Sequence, residues 1–197
     1  MKGLVRLIVA VGVFWLPLIA VCQETASSDR DWDLGIWVAV ATGEEKTNSF
    51  TEAQMLGAGP FVGRIIRRRA GQGWLQGNLE YAFSVSPLFI HVRPQTLYGI
   101  AFEPIIFRWN SMHHLGRVLP YIELAGGGVR TNMNLPSGNT SNFNFTASGG
   151  AGFYLRSRRN QTWDFEAQWA HISNANLGVQ NPEFNGVQIR LAYHWFR

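Results

Sequence analysis

The chain has 197 residues, which suits one domain, and its formal net charge of +4 is too mild to argue for a nucleic-acid partner. Its single cysteine, Cys22, excludes an intramolecular disulfide and a thiolate metal site. Aromatic side chains are plentiful, with 8 Trp, 13 Phe and 5 Tyr, whereas lysine occurs only at positions 2 and 46, so the basic residues are almost all arginine.

The first element is a secretory signal. Lys2 and Arg6 form a positive start, and Leu7–Val21 is apolar throughout. At 15 residues that run is short of the roughly 20 a spanning helix needs. Ala20-Val21-Cys22 reads as a small-residue cleavage site, which divides the chain into a signal peptide (1–22) and a mature domain (23–197). A lipoprotein acylated on Cys22 is the alternative, and Val21 fits it poorly. Cleavage removes Lys2 and Arg6, leaving 15 basic against 13 acidic side chains and a net charge of +2.

The mature chain alternates with period two. Apolar faces run through Trp32, Leu34, Ile36, Val38 and Val40, then Leu75 to Val85, Tyr98 to Phe102, Phe143 to Leu155, Trp163 to Trp169, and Val187 to Trp195. Weaker candidates lie at 59–68 and 118–129. Turn-forming stretches such as Leu135-Pro136-Ser137-Gly138 and Asn181-Pro182 separate the runs. The total is about eight strands and little helix. The opposite faces are polar or small and carry Glu80, Glu123, Glu166, Arg64 and Arg190. Charges inside and aromatics outside predict an all-β fold, an eight-stranded antiparallel transmembrane barrel. Eight strands leave an interior just filled by side chains, so these charges read as a buried network rather than a transport path. The cluster Arg64, Arg67, Arg68 and Arg69 is either a solvated strand end or a contact with anionic headgroups, since guanidinium forks match phosphate.

The chemistry-bearing candidates lie near the C-terminus. His171 and Ser173 continue the outward parity of Trp163–Trp169, and Asn185 continues that of Val187–Tyr193. Residues i and i+2 of a strand share a face, and antiparallel neighbours bring such positions within reach. A hydroxyl, an imidazole and a third polar group form the logic of an activated serine. The bland alternative is that the strand ends before His171, which leaves these residues as polar groups on a wet rim. The other histidines are weaker candidates. His113 and His114 are adjacent in a stretch that reads as a loop or turn, and His91 and His194 stand alone. Gly126–Gly128 and Gly149–Gly150 lack the Lys-Ser/Thr and helix of a phosphate loop and fit close strand packing better.

The longer stretch His171-Ile-Ser-Asn-Ala-Asn-Leu-Gly-Val-Gln-Asn-Pro182, followed by a final aromatic strand, resembles the signature of the lipid A 3-O-deacylase (PagL) family. The exact motif covers about residues 171–185. The resemblance implies an outer-membrane barrel that removes the ester-linked acyl chain at position 3 of lipid A. Its partners would be lipopolysaccharide and outer-membrane lipids, and it would need no cofactor or metal. On that resemblance Ser173 is the nucleophile, His171 the base, and Asn174 supplies an oxyanion-hole donor through its backbone N–H. Trp169 and Trp195 are candidates to line an acyl groove. One position departs from the family, whose third catalytic residue is a Glu 14 residues beyond the His; here it is Asn185. Glu183 shares its parity and is a candidate substitute acid. Two rival readings stay open: a barrel that kept the fold and lost the activity, and a soluble periplasmic lipid carrier.

Overall fold

The computed structural model describes residues 31–43 and 53–197. The signal-peptide and Cys22 readings lie outside them. Eight antiparallel strands form a closed barrel: β1 (Trp32–Gly43), β2 (Ala53–Ala70), β3 (Gly77–Val92), β4 (Gln95–Ser111), β5 (Val118–Leu135), β6 (Ser141–Arg158), β7 (Gln161–Ser173) and β8 (Phe184–Phe196). Each strand pairs with its sequence neighbour, and β1 closes on β8 through pairs such as Ile36↔Tyr193. No edge is left to template aggregation. The weaker candidates at 59–68 and 118–129 are the middles of β2 and β5. The longest described connection, 174–183, lies at one end of the barrel with the β3–β4 and β5–β6 turns, and the tight β6–β7 turn lies at the other.

The wall facing outward is apolar. Ile36, Val40, Phe89, Ile100, Phe102 and Ile189 are all more than 48% exposed, an arrangement that water would penalise and lipid tails would not. The lumen has two layers. Near the end that carries 174–183 it is filled by an apolar cluster that includes Met55, Ile90, Leu97, Val129, Leu135, Ile172 and Phe184. Below it lies a dense polar network. Arg108 is fully buried, ion-paired to Glu123, 3.3 Å from Asp164, and 2.5 Å from the Tyr154 hydroxyl. Its guanidinium also lies 4.3 Å from the centre of the Phe61 ring. Arg190 bonds Glu123 at 2.8 Å and also pairs with Glu166, while Gln168 donates to Glu123 at 2.8 Å. A buried charge survives only when paired in this way. The lumen is therefore packed and is no pore.

Two expectations about this interior need correction, and one inward charge went unread. Arg64 points outward, not inward, with its guanidinium 5.4 Å from the Trp32 ring. The inner face of β2 carries glycines with Met55 and Phe61, so polarity misassigns its parity. Arg108 was not expected inside. A register shift between Phe102 and Ile105 moves the outward positions of β4 from even to odd numbers, which turns Arg108 inward. His194 does not stand alone: Nδ1 is 2.8 Å from Asp33 and Nε2 is 3.2 Å from Asp164, all fully buried.

Candidate active site

His171 and Asn185 are direct partners in the β7–β8 ladder, and Ser173 lies one outward position further along β7. The inward residues between them, Ile172 and Phe184, are anchored in the apolar cluster of the lumen. Because side chains alternate across a strand, burying Ile172 and Phe184 forces His171, Ser173 and Asn185 onto the outer wall. All three are half-buried there.

The three side chains form a continuous hydrogen-bonded line. Ser173 Oγ lies 3.0 Å from His171 Nε2, and His171 Nδ1 lies 2.8 Å from Asn185 Oδ1. An amide oxygen can only accept, so Nδ1 carries the proton and Nε2 is the acceptor for the serine hydroxyl. That is the tautomer a general base requires. The line has a fourth member. Asn185 Nδ2 donates to Glu183 Oε2 at 3.4 Å, so the Glu183 carboxylate meets the amide rather than the imidazole. The Asn185 amide is thus oriented at both ends, by the ring on one side and the carboxylate on the other.

The segment after Ser173 is closed by Asn174. This residue is fully buried, with its side-chain Nδ2 donating to Gln180 O and its backbone N–H to Asn181 Oδ1, both at 2.8 Å. Leu177 N–H returns to Asn174 O at 2.9 Å. The turn requires left-handed backbone at Ala175 (φ 50°) and Asn176 (φ 64°), which asparagine tolerates better than alanine. Gln180 N–H bonds Asn139 O at 2.9 Å, docking the segment on the β5–β6 turn. The Asn174 N–H, expected as an oxyanion donor, is therefore engaged by Asn181. To serve an oxyanion it must exchange that partner for the substrate. Sequence reasoning missed Asn181 and Gln180 as latch residues, although both lie within the quoted motif.

Beside the site the outer wall is low. Across the strands, His171 pairs with Ala147, Ala147 with Gly126, and Gly126 with Ile105; in the adjacent row Ser173 pairs with Phe145, Phe145 with Gly128 and Gly128 with Phe102. The small residues leave a furrow of about 840 Å³ lined by Phe102, Ile105, Gly126, Phe143 and Phe145, with Arg130 toward the end that carries 174–183. A methyl group added at Gly126 would meet only the Thr146 carbonyl oxygen, 3.9 Å away. At Gly127, on the inner face, the same atom would lie 2.0 Å from the Phe102 carbonyl oxygen. Trp169 sits next to His171 on the same face, opposite Val187. Trp195 does not belong here. It pairs with Gln161 at the far end of the barrel, ten residues or roughly 33 Å along β8 from Asn185.

The other histidines are engaged elsewhere. His91 contacts Thr96 Oγ1 at 2.9 Å, and His113 Nε2 lies 2.9 Å from Gly73 O, in the connection after β4.

The family model for lipid A 3-O-deacylase (PagL) matches residues 67–194, which includes every residue of this constellation. Among solved structures, the outer-membrane enzyme PagL superposes with a TM-score of 0.59 at 16% identity, over 80% of this chain and 97% of that one. Neisserial surface protein A superposes with a TM-score of 0.58 at 12% identity, over 83% of this chain and 96% of that one. At such identities these two likenesses speak for the barrel fold alone. A search of the curated proteins finds no match. The family match spans well over half of the chain and agrees with the lipid-facing wall: this is an outer-membrane β-barrel, and it belongs to the lipid A 3-O-deacylase (PagL) family.

Proposed function

We propose that the protein hydrolyses the 3-O-linked acyl ester of lipid A, with Ser173 as nucleophile and His171 as general base. The observation that supports this most is the bonded line Ser173–His171–Asn185, set on the wall that faces lipid. Ser173 Oγ attacks the ester carbonyl while Nε2 of His171 takes its proton. The tetrahedral oxyanion collapses, the C–O bond to the sugar breaks, and His171 returns the proton to the departing sugar oxygen. Water, deprotonated by the same imidazole, then cleaves the acyl-serine and releases the fatty acid.

The substrate already lies against the wall, so lateral diffusion delivers the ester and no deep pocket is needed. Outer-membrane barrels carry their longer connections outside the cell. The length of the 174–183 segment supports a site at the outer leaflet, where lipid A resides. The acyl chain lies in the furrow over Gly126, and Arg130 faces the headgroup zone. Asn185 fixes the imidazole tautomer but brings no charge to the imidazolium. Glu183 supplies that charge from behind the amide. Backbone N–H donors at the start of the 174–183 segment, Asn174 among them once Asn181 is displaced, stabilise the oxyanion.

A second reading has one specific observation in its favour: an amide stands where the family's acid is expected. An inactive structural or adhesive barrel would hold the same fold. A serine-reactive phosphonate separates the two, because only an activated hydroxyl is labelled at Ser173. Comparing lipid A mass spectra from cells with and without the protein tests the substrate.

A further inference from the structure

The barrel carries a second groove on its lipid-facing wall, at the end opposite Ser173. It has a volume of about 670 Å³ and runs between β1, β7 and β8. Trp163, Tyr193 and Trp195 line it as an aromatic wall, together with the apolar Ile36 and Leu191. The aromatic wall is a stack of edge-to-face contacts, Trp163 to Tyr193 at 4.8 Å and Tyr193 to Trp195 at 5.0 Å. The Tyr193 hydroxyl is held by Gln161 Oε1 at 2.9 Å, which keeps the stack upright.

The lip of this groove is cationic. Arg158 lines it, and no carboxylate does. Arg158 belongs to a wider band at this end of the barrel. Arg64, Arg67, Arg68 and Arg69 lie in the last stretch of β2, toward its turn, Arg117 precedes β5, Arg156 lies near the end of β6, and Arg159 is in the β6–β7 turn. Outside the lumen, the only carboxylate side chain at this end among the described residues is Asp31, held by Arg68 at 2.9 Å. The band also acts on His114, whose imidazole is held below its ordinary range by burial and by the nearby Arg156 and His113.

We infer that this groove is a binding site for one anionic glycerophospholipid of the inner leaflet, its acyl chain against the Trp163–Tyr193–Trp195 wall and its phosphate on Arg158. Both halves of the ligand are matched: an apolar trough of lipid-facing side chains and, at its polar end, a guanidinium whose fork fits phosphate oxygens. Charge also selects the headgroup, since an arginine-rich rim favours a net anion over a zwitterion. The site lies on the opposite membrane face from the Ser173 constellation and does not depend on hydrolysis there.

Native mass spectrometry of the full chain, released from mild detergent and titrated with phosphatidylglycerol or phosphatidylcholine of the same acyl chains, tests this. The expected result is one retained lipid per chain, with phosphatidylglycerol preferred. Arg158→Gln lowers phosphatidylglycerol binding about fivefold, the effect of one arginine near a headgroup. Trp163→Ala weakens both lipids, and Arg93→Gln, in the β3–β4 turn at the opposite end, changes neither. Heat-modifiable gel mobility confirms that each variant is folded, and Arg158→Lys, which keeps the charge, retains the preference for phosphatidylglycerol. Equal binding of the two lipids by the unaltered chain, or an Arg158→Gln variant with undiminished preference, overturns the assignment. A dimer mass lost on Trp163→Ala also overturns it, because the groove would then seat a second copy of the chain.

Discussion

His171 and Asn185 face each other across β7 and β8, with Nδ1 of the ring 2.8 Å from Oδ1 of the amide. This places an uncharged group where the family's acid is expected. In a serine-protease triad, exchanging the acid for its amide costs about 10⁴ in rate. Asn185→Glu therefore raises turnover on lipid A by more than tenfold, with that factor as the ceiling. Steady-state release of free fatty acid measures it. An unchanged or lower rate would mean that the site is tuned to the amide.

Glu183 is expected to supply part of the missing charge through Asn185 Nδ2, at 3.4 Å. A hydrogen bond to a charged group contributes about 1.5–3 kcal/mol, and this one is long and half-exposed. Glu183→Gln should lower kcat about fivefold to tenfold while KM stays level. In the Asn185→Glu background the same change should have little effect, because the direct acid makes the relay redundant. Equal losses in both backgrounds would place Glu183 outside the relay.

The furrow gives a prediction about chain length. Gly126 has open space above it, so Gly126→Leu fills the furrow without straining the wall. Burying one methylene is worth about 0.8 kcal/mol, so excluding several from the furrow costs well over tenfold in kcat/KM for a long acyl ester. A short-chain ester should be cleaved as before. Loss of both activities, or of neither, contradicts the placement of the acyl chain over Gly126.

How much of this was legible before the fold was known depended on where the alternation is unbroken. β1, β7 and β8 carry clean period-two patterns, and they put His171, Ser173 and Asn185 on one face. The pattern failed at Arg108 because the shift between Phe102 and Ile105 reverses the parity of β4 midway. It failed at Arg64 because the inner face of β2 is glycine-rich rather than polar. Trp195 was misplaced because parity fixes a face but not a height, and it stands at the other end of its strand. The Asn174 latch and the Gly126 furrow lay beyond reach, since both depend on how separate segments come together.

That latch should be separable from the barrel. Asn181→Ala removes the acceptor for the buried Asn174 N–H, a loss of about 1–3 kcal/mol confined to 174–183. Limited proteolysis should then cut within that segment faster, while heat-modifiable mobility of the barrel is retained. A variant as resistant as the parent would mean that the remaining bonds, from Asn174 Nδ2 to Gln180 O and from Gln180 N–H to Asn139 O, hold the segment without Asn181.

The luminal network predicts the reverse behaviour. Arg108→Ala takes one cation from both Glu123 and Asp164, leaving the first to Arg190 and the second to His194 in the barrel interior, which costs up to about 3–5 kcal/mol. Urea unfolding in detergent or lipid should shift accordingly. A change below 1 kcal/mol would mean that water or a neighbouring cation replaces the guanidinium.

The central claim is that Ser173 is an activated nucleophile toward lipid A. The most direct measurement is the lipid A mass spectrum from cells expressing the full chain or its Ser173→Ala variant, both confirmed as folded in the outer membrane. The account predicts loss of the mass of one 3-O-linked acyl chain with the parent protein and an unmodified spectrum with Ser173→Ala. An unmodified spectrum with both, or deacylation that survives Ser173→Ala, would contradict it.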